Sequence, residues 1–267
     1  MGKEMGKVVL IAGGEKVYAD IAARFCRSED DIDTIIDKPY TPKIIENILS
    51  SGHFSALEFD YFLFGVEGFS RVCETQLVRK RMASYMIKSG REELNGKRKF
   101  DVYLPSDITA FETEVEVPRA DFVENSDGIL FTKIKVRLNA RIICQIIEEW
   151  YAEGVKQGKK EENLRYLKPQ GTTFKGIIGM NAHALRDFFS QRMCMRAQAE
   201  IRDMATQMFT LARKAVPDLF KDAGPKCVQL GYCPENERQH EFCRITRKIL
   251  TKDKALEVLK QWQSENK

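Results

Sequence analysis

Arginines placed where an apolar stripe should run are the residues of this sequence that most need a chemical partner. From about Asn181 the spacing predicts a helix. Leu185, Phe188 and Arg192, then Met195 or Arg196, fall at intervals of three and four, so Arg192 rides the apolar face. A guanidinium stays charged at any relevant pH, and leaving one buried and unpaired costs roughly 3 to 5 kcal/mol. Either a carboxylate from another helix meets it, or an anionic or carbonyl-bearing ligand does. A second cationic group stands upstream, where Gln76, Arg79 and Lys80 share one face at helical spacing and Arg81 follows. Taken alone, that group reads as a solvated face. After seven more residues comes Ser89-Gly90-Arg91. There glycine permits a tight turn, successive N–H groups can cup an anion, and arginine can grip phosphate with two hydrogen bonds. Each signal is weak by itself, and only their combination favours a small anionic ligand.

The elements that must position these residues follow from periodicity. Val8 to Ile11 suggests a strand, but the Gly13-Gly14 after it lacks the spaced Gly-x-Gly-x-x-Gly that a dinucleotide fold requires. Thr41-Pro42 opens a short helix that Ser51-Gly52 closes. Phe59 to Val66 reads as a buried strand feeding a helix over 70–82. Residues 95–127 are polar and broken by Pro105 and Pro118, which predicts a long excursion with at most small strands. Leu138, Ile142, Ile146 and Trp150 predict one long amphipathic helix over 134–155, and another runs from about Asn181 to Ala215. After Pro217 the breakers Gly224-Pro225, Gly231 and Pro234 mark a tail, with a last helical piece around Leu256 and Leu259. The expected organisation is one domain over 1–220 and a cysteine-containing tail over 221–267.

Composition narrows the class. The 267 residues are 43% hydrophobic and 31% charged with 8 prolines, as in an ordered globular protein. No apolar run approaches the roughly 20 residues that span a bilayer, and the first nine residues are too short and charged for a secretory segment. A cytoplasmic protein with no membrane partner is expected. A net charge of +4, with no basic block interleaved with aromatics, gives little support to a nucleic-acid surface. Seven scattered cysteines suggest reduced thiols. Cys227, Cys233, His240 and Cys243 could close a tetrahedral zinc site. Their spacing matches no standard finger, and ordinary thiols with no metal are the preferred reading. Cys194, two residues after Arg192, would lie about 200° round a continued helix and so point elsewhere.

Arg79-Lys80-Arg81, seven residues, then Ser89-Gly90-Arg91 resembles the signature of flavin-dependent thymidylate synthases: Arg-His-Arg, seven residues, Ser. The resemblance extends upstream through His53-Phe54-Ser55-Ala56-Leu57-Glu58, Phe62 to Phe64, Glu67-Gly68, Ser70-Arg71 and Gln76. Downstream it takes in Leu164-Arg165-Tyr166 with Pro169, Asn181-Ala182, Phe188-Phe189, Arg192, Arg196-Ala197-Gln198 and Glu200-Ile201-Arg202. It covers roughly residues 7–234 apart from the excursion. An α+β fold of long helices packed on a small mixed sheet is expected. By resemblance the protein would be a homotetramer with active sites shared between subunits.

The resemblance also implies roles. Gln76, Arg79, Lys88, Ser89, Gly90, Arg91, Arg165 and Arg192 would bind dUMP. Ser55, Arg79, Lys80, Arg81, Asn181, His183 and Asp187 would line FAD. Such enzymes methylate dUMP to dTMP, with methylenetetrahydrofolate as carbon donor and FAD reduced by NADPH as hydride source. The position of Arg192 would carry the catalytic role of favouring an ionised uracil, with Ser89 a positioning hydroxyl. Departures from the family pattern fall mainly on the flavin side. Lys80 replaces the histidine of Arg-His-Arg, and Ile87 stands where an acidic residue is frequent. Glu92 replaces a tyrosine, His183 an arginine, Ala199 a tryptophan, and Asp187 an asparagine or histidine. That asymmetry supplies an alternative: a diverged paralogue that binds a pyrimidine nucleotide and transfers a different one-carbon group, or none. A third reading, a helical nucleic-acid-binding or scaffold protein with surface arginines, predicts salt-dependent oligonucleotide binding and no flavin.

Overall fold

The computed structural model describes residues 6–89, 100–122, 129–235, 243 and 249–265. In chain order the strands and α-helices are β1 (Lys7–Ala12), α1 (Tyr18–Phe25), α2 (Ile32–Asp37), α3 (Pro42–Ser51), β2 (Tyr61–Ser70), α4 (Arg71–Leu77), β3 (Ser84–Ile87), α5 (Ser106–Ala110), β4 (Glu112–Phe122) and β5 (Ile129–Asn139). They continue with α6 (Ala140–Lys156), α7 (Glu161–Leu164), β6 (Thr173–Asn181), α8 (Ala182–Arg192), α9 (Ala199–Ala215), α10 (Lys226–Leu230), β7 (Tyr232–Cys233), β8 (Leu250–Thr251) and α11 (Lys252–Glu265). The fold is α+β. The chain divides into a larger unit, Met5–Phe69 with Cys73–Ile87 and Phe174–Lys267, and a smaller one whose main part is Lys88–Thr173.

In the larger unit a four-stranded sheet runs in the order β1-β2-β6-β3, with the β1–β2 and β3–β6 pairs antiparallel. Phe62, Phe64 and Val66 alternate inward along β2 and meet Leu185, Phe188 and Phe189 of α8 and Ile201, Met204 and Met208 of α9 in one core. The side-chain period of two on the strand and of three to four on the helices produces this match. Gln207 of α9 fastens the edge strand: its Oε1 accepts from Val8 N at 2.9 Å and its Nε2 donates to Gly6 O at 2.9 Å. Asp60 ties three elements together. Its carboxylate accepts from Tyr18 N at 2.8 Å and Ala19 N at 2.9 Å, capping α1 from a distance, and its carbonyl accepts from Ala182 N at 2.7 Å. As its sequence suggests, α3 starts with Pro42 in its first turn and ends on Gly52, whose φ of 72° suits a residue without a side chain.

The smaller unit corrects the expectation of an excursion with at most small strands. Within it β4 and β5 are 11 residues each and pair antiparallel along their whole length, from Glu112↔Asn139 to Phe122↔Ile129. The charged positions of this hairpin answer one another across it, Lys133 with Glu116 at 3.5 Å and Arg137 with Glu114 at 4.0 Å. That compensation is long-range, which is why a local scan reads the stretch as merely polar. The helix expected over 134–155 starts at Ala140, because residues 134–139 complete β5 and Asn139 accepts from the amides of Arg141 and Ile142, both at 3.1 Å. A small core forms where Tyr151 of α6, fully buried, meets Phe100 edge-on at 5.1 Å between ring centroids, with Leu164 beside them.

Candidate functional site

The helix expected from Asn181 to Ala215 is two helices, α8 and α9, parted by residues 193–198. Asn181 begins α8 by accepting from Ala184 N at 2.8 Å. Its buried face carries Leu185, Phe188 and Phe189, while His183, Asp187 and Gln191 follow at intervals of four on a face open to solvent. Arg192 is its last residue. The helix stops there, so Met195 and Arg196 do not continue the stripe, and the helical angle that would turn Cys194 away no longer applies. Cys194 lines the same cavity as Arg192.

Two arginines of α8 meet different partners. Arg186, 5% exposed, takes the ion pair expected of a buried guanidinium, with Asp222 Oδ1 at 2.9 Å, and also donates to Leu219 O at 2.8 Å. Arg192, half-buried, donates through Nη2 to Gln76 O at 3.0 Å, and among the described residues it has no carboxylate partner. One backbone carbonyl leaves most of its N–H donors uncommitted. Gln76 is held nearby by a hydrogen bond from its Nε2 to Gln198 Oε1.

The cationic run does not lie on one helical face, because α4 ends at Leu77 and residues 79–81 occupy the turn beyond it. Tyr85 Oη of β3 lies 2.9 Å from both Leu77 O and Lys80 O and holds that turn. The side chains of Arg79 and Arg81 are exposed and, among the described residues, have no hydrogen-bond or ion-pair partner. Lys80 turns the other way, pairing with Asp187 of α8. His183 Nδ1 lies 3.2 Å from Glu58 Oε1, and its ring stands 5.7 Å from that of Phe54. Glu58 and Phe54 belong to the 3-10 turn Phe54–Phe59, which also presents Ser55 to solvent.

The nucleotide set divides between the units. Gln76, Arg79 and Arg192 belong to the larger one, whereas Lys88, Ser89 and Arg165 belong to the smaller, all three exposed. Gly90, Arg91 and Glu92 lie outside the described residues, as does His240. The flavin set, Ser55, Arg79, Lys80, Arg81, Asn181, His183 and Asp187, falls wholly on the larger unit. Sequence reasoning left out Glu58, Tyr85 and Gln198 as supports of these groups. The contacts of Glu58 and Gln198 cross 125 and 122 positions and no local spacing announces them, whereas Tyr85 reaches back only 5 to 8 positions, into a turn that helical periodicity does not describe. The chemistry of the donor set fits anionic, carbonyl-rich ligands: the guanidinium groups of Arg79 and Arg81 and the remaining N–H donors of Arg192 offer positive charge and parallel N–H donors.

The sequence model of the family described as "Thymidylate synthase complementing protein" matches residues 9–218. A flavin-dependent thymidylate synthase of Nitratidesulfovibrio vulgaris is 37% identical over 203 residues, 76% of each chain. One of Clostridium tetani is 34% identical over 247 residues, 88% of this chain and 93% of that protein. Two solved structures share the fold. A UMP/dUMP methylase, PolB, from Streptomyces cacaoi bound with 5-Br dUMP has a TM-score of 0.63 at 20% identity, covering 83% of this chain and 97% of its own. Thymidylate synthase X from Helicobacter pylori with FAD and dUMP has a TM-score of 0.54 at 21% identity, covering 81% and 98%. On the extent of these sequence matches, the chain belongs to the flavin-dependent thymidylate synthase family.

Proposed function

We propose that this protein methylates dUMP to dTMP, taking the carbon from methylenetetrahydrofolate and using FAD reduced by NADPH. The observation that carries the reading is Arg192, a half-buried guanidinium committed to a single backbone carbonyl among the described residues. A fixed cation beside uracil N3 and its neighbouring carbonyl stabilises negative charge there, and that charge makes C5 nucleophilic toward the folate-derived carbon. Activation is electrostatic and needs no enzymic nucleophile. Gln76, Arg79, Lys88, Ser89, Arg165 and the adjoining Gly90-Arg91 would hold the nucleotide, with the arginines on its phosphate. Bound FAD would supply the hydride that completes the methyl group. Ser55, Arg79, Lys80, Arg81, Asn181, His183 and Asp187 would orient it, with Arg79 and Arg81 countering its negative charge.

The family match over 9–218 supports a catalytic domain over 1–220 followed by an appended segment. A homotetramer with shared sites is part of the proposal. It is supported by the apolar side chains Ile142, Ile143, Ile146 and Trp150 of α6, each about half exposed. Among the described residues no helix is long and apolar enough to cross a membrane, and the cytoplasm is the compartment proposed.

The test is direct. Purified protein should carry a flavin spectrum and oxidise NADPH in a dUMP-dependent manner with methylenetetrahydrofolate present, and dTMP should appear as the product on chromatography. Bound flavin and bound dUMP without dTMP would support the diverged paralogue instead.

A further inference from the structure

In the larger unit a cavity of about 610 Å³ opens at the end of α8. Four cysteines line it: Cys194 from the turn after α8, Cys227 from α10, Cys233 from β7, and Cys243. None is in a disulfide, and Cys227 and Cys233 are buried. Residues 49 positions apart in sequence therefore bring four soft ligands to one space, a convergence that ordinary packing of scattered thiols does not require. We propose that Cys194, Cys227, Cys233 and Cys243 bind one zinc ion as four thiolates. The set differs from the one suggested by sequence spacing in taking Cys194 in place of His240.

Charge supports the assignment. Four thiolates gathered in one space repel one another, and a divalent cation among them removes that repulsion. Binding releases one proton from each thiol and leaves a tetrathiolate centre of net charge −2. Lys226 lines the same cavity and offsets part of that charge, while Arg196 there is paired with Glu235. As they stand, no three His, Cys, Asp or Glu side chains among the described residues close on one point. Binding therefore requires the four thiols to close inward on the ion across the cavity that they line. A closed centre would pin the turn at 193–198 to α10 and β7 and so fix the residues that follow Arg192. Its role is structural, since no substrate group need touch the metal.

The experiment uses the full chain, isolated without chelator, then loaded with zinc sulfate and dialysed. Elemental analysis should give about one zinc per chain, as a closed site requires. C194S and C233S should each fall below about a tenth of an equivalent, while C26S keeps the wild-type content. Cobalt(II) substitution reads the site independently of activity, because thiolate-to-cobalt absorption should drop stepwise in any variant that circular dichroism shows to be folded. Three results would overturn the proposal: no zinc after loading, zinc retained in C194S but lost in H240A, or an iron–sulfur chromophore in place of zinc.

Discussion

Lys80 Nζ and Asp187 Oδ2 form an ion pair between the turn after α4 and the solvent face of α8, with the Lys80 side chain 16% exposed and that of Asp187 47%. Both positions depart from the pattern that the resemblance implies, and each departure answers the other: an added ammonium meets an added carboxylate, so the pair brings no net charge to the face where the flavin is proposed to lie. The unequal exposure decides which loss costs more. D187N strands a mostly buried ammonium and should destabilise the protein by about 1 to 2 kcal/mol. K80M leaves a carboxylate that water still solvates and should cost under about 1 kcal/mol. The K80M/D187N double variant should be more stable than the sum of the singles by about 1 kcal/mol in urea unfolding. Additive singles would show that the pair is not a unit.

Among the described residues Arg192 makes one hydrogen bond, to Gln76 O, so its removal should cost binding more than stability. R192A should raise the dUMP dissociation constant tenfold or more, the equivalent of one charge-assisted contact of roughly 1.5 to 3 kcal/mol. Bound flavin should remain at the wild-type level and the unfolding midpoint should barely move. Titrating dUMP into flavin-loaded protein by calorimetry reads both quantities. Unchanged dUMP affinity in R192A would remove the catalytic assignment.

The other arginine of α8 predicts a pH dependence. Burial alone would raise the Asp222 carboxyl, but the Arg186 guanidinium, by hydrogen bond and charge, outweighs it and holds the pKa below the ordinary carboxylate value. An acid whose folded pKa is depressed stabilises the fold above its unfolded pKa and loses that contribution as pH falls through the folded one. D222N should therefore be less stable than the parent at pH 7, by about 1 to 2 kcal/mol after allowing for the half-exposed carboxylate. The gap should close below about pH 4. Urea unfolding of both proteins at pH 7 and pH 3 checks the sign.

The candidate site was legible in the sequence where chemistry is local, and the fold where periodicity is unopposed. Arg192 announced itself by riding an apolar stripe, and α3 by its proline and glycine ends. The single helix over 181–215 failed for a reason no window contains. Arg202 of α9 reaches back to donate to Met195 O at 3.1 Å and Ala197 O at 2.9 Å, satisfying carbonyls that a continued helix would have bonded itself. Ile134, Val136 and Leu138 fit a strand as well as Ile134, Leu138 and Ile142 fit a helix. The cap at Asn139 and the pairing with β4 chose the strand. That Arg186 rather than Arg192 takes the carboxylate depends on where Asp222 comes to lie, which is a tertiary fact.

Tyr85 carries the last prediction. Its hydroxyl has one proton and two carbonyls in reach, Leu77 O and Lys80 O, and Leu77 O also accepts from Lys80 N at 3.1 Å. Y85F therefore removes a tie across the turn that presents Arg79 and Arg81 without leaving Leu77 O unpaired, and should cost about 1 kcal/mol. Burial pushes the phenol pKa up to about 12, so the hydroxyl remains a donor throughout the neutral range. A folded pKa above the unfolded one, about 10, means that this contribution is fully present below the unfolded value and lost as pH rises through the folded one. The stability gap between parent and Y85F should thus stay constant from pH 6 to pH 9, on the order of 1 kcal/mol, and shrink in stronger alkali. Hydrogen exchange at the Lys80 amide should quicken in Y85F while that of α8 stays unchanged. An equal increase in both would mean that the tie supports the whole unit rather than the turn.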